Sequence, residues 1–167
     1  MTVFYSSIAG AVMFLSAVTF AAESPQEYPL RPDQIQRLLG ADVPRVLCLD
    51  ENFTTGGQPN ANAYAKAAAA GFKSILSLRM ANEGVDIPRE RAQVESKQLR
   101  YLNIPVNSSS PRPEQADEFL RIARDKANHP MLVNCATANR VGAFMMILRV
   151  VDQGWSEEKA LVEATRI

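Results

Sequence analysis

Apolar residues fall into two patterns along this chain, short unbroken runs and longer stretches with helical spacing. The runs at 46–49, 73–78, 101–106 and Met131–Asn134 have the length of buried strands. Between them, residues 60–70 are rich in Ala, with Asn60 placed to cap a helix and Gly71 just past its end. Pro88 opens a second helix to about Leu99, and Pro113 a third to about Asn128. His129-Pro130 breaks that helix ahead of the last strand. Residues 140–153 form a helix that is apolar on most faces and stops at Gly154, and Ser156 caps a final helix. Residues 107–112, dense in Ser and Pro, read as a loop. Strands alternating with helices predict an α/β domain: a compact, mainly parallel central sheet with helices on both faces.

The first 44 residues follow neither pattern. Glu23 is the first charged residue, so 2–22 is uncharged and largely apolar, with a run at 8–20 and the small positions Thr19 and Ala21 around Phe20. This reads as a secretory signal peptide. The alternative is a retained membrane anchor, since about 20 apolar residues span a bilayer. Either places the domain outside the cytoplasm, periplasmic or secreted, where disulfides are permitted. Residues 23–44 are polar and carry four prolines, with a short helical stretch at 33–39 ended by Gly40; they read as a lead-in to a domain at 45–167.

Charge and composition then narrow the chemistry. Eighteen basic and 18 acidic side chains cancel, leaving no electrostatic reason to expect a nucleic-acid partner. One His and two Cys cannot build a zinc site of several such ligands, and a Ser-His-Asp triad would have to use His129. The pattern implies no metal and no cofactor, and it leaves the oligomeric state open.

In parallel sheets, ligands bind beyond the carboxyl ends of strands, where loops meet helix N-termini. There the strand Met131–Asn134 runs into Cys135-Ala136-Thr137-Ala138-Asn139-Arg140-Val141-Gly142. Backbone N–H groups in a tight loop, together with the helix dipole, hold an anion and favour a thiolate. Arg140 adds a planar fork suited to phosphate or sulfate. Thiolate nucleophile plus oxyanion cradle is the implied chemistry. The plain alternative is a buried apolar Cys135 followed by an ordinary helix-start Arg140.

Three further segments precede this loop in order: Asn52-Phe53-Thr54-Thr55-Gly56-Gly57-Gln58-Pro59, then Gly71-Phe72-Lys73-Ser74-Ile75-Leu76-Ser77-Leu78-Arg79, then Tyr101-Leu102-Asn103-Ile104-Pro105-Val106. Together they resemble the Cys-loop superfamily of tyrosine and dual-specificity phosphatases. The likeness is closer to its bacterial phosphatase-like domains, related to the β-lactamase hydrolase-like proteins, and covers about residues 45 to 165. It implies a phosphorylated substrate, protein or small molecule, with Cys135 as the nucleophile that forms a phosphocysteine. Ala136, Thr137, Ala138, Asn139 and Arg140 would be the phosphate-binding loop, with Arg140 as its clamp.

The chain departs from that family at three places. Asn134 stands where His usually precedes the nucleophile. The loop has four residues between Cys and Arg rather than five, with Ala138 where a Gly is usual. Asn107, Ser108, Ser109 and Ser110 occupy the stretch that normally holds a general-acid Asp, and Glu114 is the nearby carboxylate. Losing a general acid costs about 10²–10⁴-fold, so a weak or specialised phosphomonoesterase is expected. Rhodanese-like sulfur transfer through a Cys135 persulfide and a catalytically silent binding module are the alternatives.

Several residues remain open on sequence alone. Arg79 and Glu83 read equally as pocket support or as a solvated loop pair. Gln58 and Gly57 belong to the opening motif or to a simple turn, and Asn139 reads as loop support. Cys48 is a buried apolar thiol or a redox partner of Cys135. His129 lies at the opposite end of the last strand from Cys135, about 20 Å away at roughly 3.3 Å per residue, which rules out a Cys-His pair.

Overall fold

The computed structural model describes residues 30–167; the signal-or-anchor reading of 1–22 lies outside the described residues. Helix α1 (Pro32–Leu39) leads to β1 (Leu47–Cys48) and β2 (Phe53–Gly56), then α2 (Ala61–Ala69), β3 (Ser74–Ser77), α3 (Ile87–Glu95) and β4 (Arg100–Asn103). The second half runs α4 (Pro113–Arg124), β5 (Met131–Asn134), α5 (Asn139–Val151) and α6 (Glu157–Arg166). The strands form one sheet in the order β1-β2-β5-β3-β4, parallel except for the antiparallel β1–β2 pair. The expected α/β class and mainly parallel sheet are therefore present.

Strand alternation sends successive side chains to opposite faces. Ile75, Tyr101 and Leu132 pack with α1, α2 and α3, while Leu76, Met131 and Val133 pack with α4, α5 and the chain end at Ile167. Residues 30–43, read as a lead-in, place Leu39 and Val43 fully inside the first of these cores. Asp42 ties that stretch to α2, accepting from Asn60 Nδ2 at 2.8 Å and Lys66 Nζ at 2.6 Å. Asn60 caps α2 as expected, accepting from the N–H groups of Asn62 and Ala63.

The differences from the expected elements have local causes. Strand β2 is new, because Thr54-Thr55-Gly56 is no apolar run; its burial comes from lying between β1 and β5. The 46–49 run contracts to a two-residue strand because Asp50 turns the chain there, its carboxylate accepting from the N–H groups of Asn52 and Phe53. Strand β4 starts at Arg100 and ends at Asn103 rather than Val106, since Pro105 cannot donate to a ladder. Helix α3 stops at Glu95, and Gln98, at φ 61°, redirects the chain into β4. Helix α4 stops at Arg124, where Asp125 becomes extended and caps a short 3₁₀ turn, Lys126–Asn128. Helix α5 ends at Val151 rather than Gln153, with Asp152 as its cap.

The carboxyl ends of β2, β5 and β3 stand level, with Gly56, Asn134 and Ser77 in register. Gly56 and Gly57 lie where the chain before β1 and the loop after β5 come closest. A Cβ at Gly56 would collide with the Val43 side chain, and one at Gly57 would press on the Ala136 carbonyl oxygen at 3.0 Å.

Candidate active site

Strand β5 delivers Cys135 to this level, where it is buried beside the core facing α4 and α5. The chain then reverses into α5 through Ala138, which adopts a left-handed conformation at φ 72°. That conformation costs an L-residue about 1–2 kcal/mol. The loop is braced from outside: the Gln58 N–H donates to the Ala136 carbonyl at 3.2 Å, and Arg45 Nη1 donates to the Thr137 carbonyl at 2.9 Å and to Asn139 Oδ1 at 2.8 Å. The backbone N–H groups of Ala136, Thr137, Asn139 and Arg140 donate to no protein acceptor among the described residues. A run of unpaired donors ending at a helix N-terminus is an anion-binding device.

Arg140 completes it from the first turn of α5. Its Nη1 donates to the carbonyls of Leu78 and Val106 and to Glu83 Oε1, and its Nη2 donates to Glu83 Oε2 at 2.6 Å. The Nε–H and the second Nη2–H meet no oxygen acceptor among the described residues, while the guanidinium lies within hydrogen-bond reach of the Cys135 thiol; together the two N–H groups form an edge suited to binding an oxyanion bidentately. The Arg140 hydrogen bond holds the Glu83 carboxyl below the usual carboxylate range. The same contact raises the pKa of the guanidinium, and the proximity of Cys135 raises it further. Thiol, clamp and unpaired amides thus share one small space.

Residues 46–166 match the family described as DSP-PTPase phosphatase fused to NAD+ kinase. The chain belongs to this family. It is 28% identical over 112 residues to a β-lactamase hydrolase-like protein of Xylella fastidiosa, an alignment covering 65% of this chain and 26% of that one. The chain therefore matches about a quarter of that relative's length. Its fold resembles a DUF442 protein from Shewanella putrefaciens, with a TM-score of 0.67 and 19% identity, covering 76% of this chain and 84% of the other. It also resembles TpbA of P. aeruginosa, solved in complex with phosphotyrosine, with a TM-score of 0.62 and 23% identity, covering 72% of each chain.

In this phosphatase domain, Arg79 and Glu83 stand at the site as a pair. Arg79 Nε donates to Glu83 Oε2 at 2.7 Å and its Nη2 to the Glu83 carbonyl at 2.6 Å. The third arm, Nη1, donates to Gln58 Oε1 at 3.0 Å, which brings the Gly-Gln-Pro opening motif to the same cluster. Asn139 is loop support through Arg45. Asn134, fully buried one residue before Cys135, has no hydrogen-bond partner for either side-chain polar atom among the described residues.

The remaining candidates stand apart from the clamp. Asn107 follows Val106, whose carbonyl Arg140 holds, but its side chain is turned back to accept from the Ser109 N–H at 3.0 Å. Glu114 is exposed in the first turn of α4 and makes no hydrogen bond or ion pair among the described residues. Cys48 and Cys135 are both free thiols. Strand β2 separates their strands and Cys48 stands level with Leu132, three residues short of Cys135, so the two lie about 14 Å apart, beyond the roughly 7 Å a disulfide can bridge. Burial pushes the Cys48 thiol pKa up, in keeping with a packing role. His129 packs edge-on against Phe53, with ring centroids 4.9 Å apart, at the far end of β5.

Two further residues carry little sign of the site in sequence. Arg45 reaches the loop across more than ninety residues of chain and has no local signature. Glu90 lies on the helical line of Ile87 and Val94, and a carboxylate on the apolar side of a helix is a readable anomaly.

Proposed function

We propose that this domain is a cysteine-dependent phosphomonoesterase of the tyrosine/dual-specificity type, acting outside the cytoplasm on a phosphorylated substrate. The observation that carries the reading is the coincidence, among the described residues, of the Cys135 thiol, four unpaired loop N–H groups and an edge of Arg140 that meets no oxygen acceptor and lies beside that thiol. The phosphotyrosine bound by TpbA supports a phosphorylated ligand, and the uncharged segment 2–22 supports export.

In the first step the Cys135 thiolate attacks phosphorus, an S–P bond forms, and the bond to the leaving oxygen breaks. The loop N–H groups and Arg140 neutralise charge on the three equatorial oxygens. In the second step water attacks phosphorus, the S–P bond breaks, the thiolate is restored, and the water's protons leave on inorganic phosphate. Glu83 is held ionised by Arg140, and Asn107 cannot supply a proton to the leaving oxygen. Rates should therefore depend steeply on how readily the leaving group departs as an anion, which makes the enzyme weak toward alkyl esters or specialised for substrates with good leaving groups such as aryl phosphates.

The test is hydrolysis of an activated aryl phosphate by wild type, Cys135→Ser and Arg140→Ala, with and without reductant. Thiosulfate:cyanide sulfur transfer is run in parallel. Phosphate release by the wild type that disappears with Cys135→Ser is expected. Full rate in Cys135→Ser, or thiocyanate formation without phosphate release, overturns the reading.

A further inference from the structure

Glu90 is a carboxylate only 4% exposed, in the first turn of α3, and no step above uses it. Its oxygens accept from three neutral donors: Gln58 Nε2 at 2.5 Å and Tyr64 Oη at 2.7 Å on Oε1, and Tyr101 Oη at 2.5 Å on Oε2. Burial, with the adjoining carboxylate adding to it, pushes both tyrosine pKa values up, so both hydroxyls remain donors. No cation hydrogen-bonds this carboxylate directly among the described residues; Gln58 links it to Arg79, and Arg91 stacks over the Tyr101 ring at 5.0 Å.

That link has a direction. An amide has one donor end and one acceptor end, and the Glu90 carboxyl oxygen Oε1 accepts from the donor end of Gln58. Glu90 therefore fixes Gln58 with its nitrogen toward α3 and its oxygen toward Arg79, which donates to it at 3.0 Å. With the amide reversed, two donors would face each other and Arg79 would lose that contact. Arg79 in turn spends its other arms on the Glu83 side chain and carbonyl, and both Glu83 oxygens are held against Arg140. Each hydrogen bond in this series sets the orientation of the next planar group.

We infer that Glu90 is a positioning residue for the Arg140 clamp, acting through Gln58, Arg79 and Glu83. The inference rests on Arg140 as the anion-binding group and needs only anion binding, not turnover, to be tested.

The probe is inorganic phosphate, titrated calorimetrically into the full chain at a temperature where circular dichroism shows each variant folded. Glu90→Gln keeps the size of the side chain and the Tyr hydroxyls can reorient toward it, so the fold should survive. It should weaken phosphate binding about tenfold. Gln58→Met, which breaks the link while leaving Glu90 its two tyrosine donors, should weaken binding by a similar factor. In an Arg79→Ala background, where the series is already cut, Glu90→Gln should change phosphate affinity no further. Wild-type affinity in Glu90→Gln or in Gln58→Met, or an undiminished loss in the Arg79→Ala background, overturns the inference. Wild type that binds phosphate but hydrolyses no ester defeats the proposed activity while the positioning role stands on affinity. Wild type that binds no phosphate defeats both.

Discussion

Helix α5 carries a largely buried arginine at each end, and the two are built almost alike. Arg140 and Arg149 have side chains 12% and 3% exposed, and each meets a glutamate at 2.6 Å. Arg149 has four of its five N–H groups engaged: Glu163 takes Nε and Nη2, Gln153 and Asp50 take Nη1, and the Trp155 ring packs under the guanidinium at 4.9 Å. Arg140 keeps Nε and part of Nη2 unspent beside a thiol and a row of unpaired amides. Burial and ion pairing alone therefore do not mark the functional arginine. Donors left over after the protein's own acceptors are served do, together with what they face.

The comparison breaks most visibly if the two arginines exchange consequences. Arg140→Lys replaces a planar fork by a point charge. It should lower kcat/KM for an aryl phosphate about 10²–10³-fold, the loss typical of removing a transition-state donor. Near-normal kcat/KM in that variant would mean that the unspent edge is not used. Arg149→Met should do the reverse. It strands Asp50 and Glu163 around an apolar side chain and should cost about 3 kcal/mol or more of stability in urea unfolding. Its kcat/KM, measured where it is folded, should stay within about twofold of wild type. A large loss of activity there would tie the C-terminal end of α5 to catalysis.

Much of this contrast was open to reading from the chain. Strand β5, the capped helix α2 and the Cys135–Arg140 loop follow from an apolar run, an Asn cap and a strand-to-helix junction. Strand β2 did not, because its two threonines are buried by strand order and not by their own chemistry. The site divides in the same way. Cys135 and Arg140 are five residues apart and announce themselves, whereas Arg79 and Glu83 could not be told from a solvated pair until Gln58 and Arg140 were seen to enclose them. Contacts such as Arg45 to Thr137 depend on which loops the sheet brings together, and no local pattern encodes that.

A smaller effect is read through pH at Glu83, the partner of Arg140. Arg140 depresses the Glu83 pKa below its unfolded value, so the stabilisation is complete above the unfolded pKa of about 4.3. It is lost as pH falls through the lower folded value. Wild type should exceed Glu83→Gln in urea-derived stability near neutrality, with the gap closing on acidification below about pH 4. A gap that stays constant with pH would show that the charge on Glu83 contributes nothing to holding Arg140.

The smallest expected change is at Ala138, where opposing terms nearly cancel. A left-handed Ala costs about 1–2 kcal/mol, which Gly would relieve. Gly would forfeit about 0.5–1 kcal/mol in chain entropy and about 0.8 kcal/mol for the buried methyl. Ala138 is fully buried in the core that also holds Cys135, so the second loss applies in full. Ala138→Gly should accordingly shift stability by less than about 1 kcal/mol in either direction, while Ala138→Val, β-branched in the same conformation, should destabilise by about 2 kcal/mol or more. A strong gain from Ala138→Gly would mean that the methyl contributes little packing. A near-neutral result would explain how this loop tolerates an alanine in a left-handed conformation: the core recovers through burial what the backbone loses in strain.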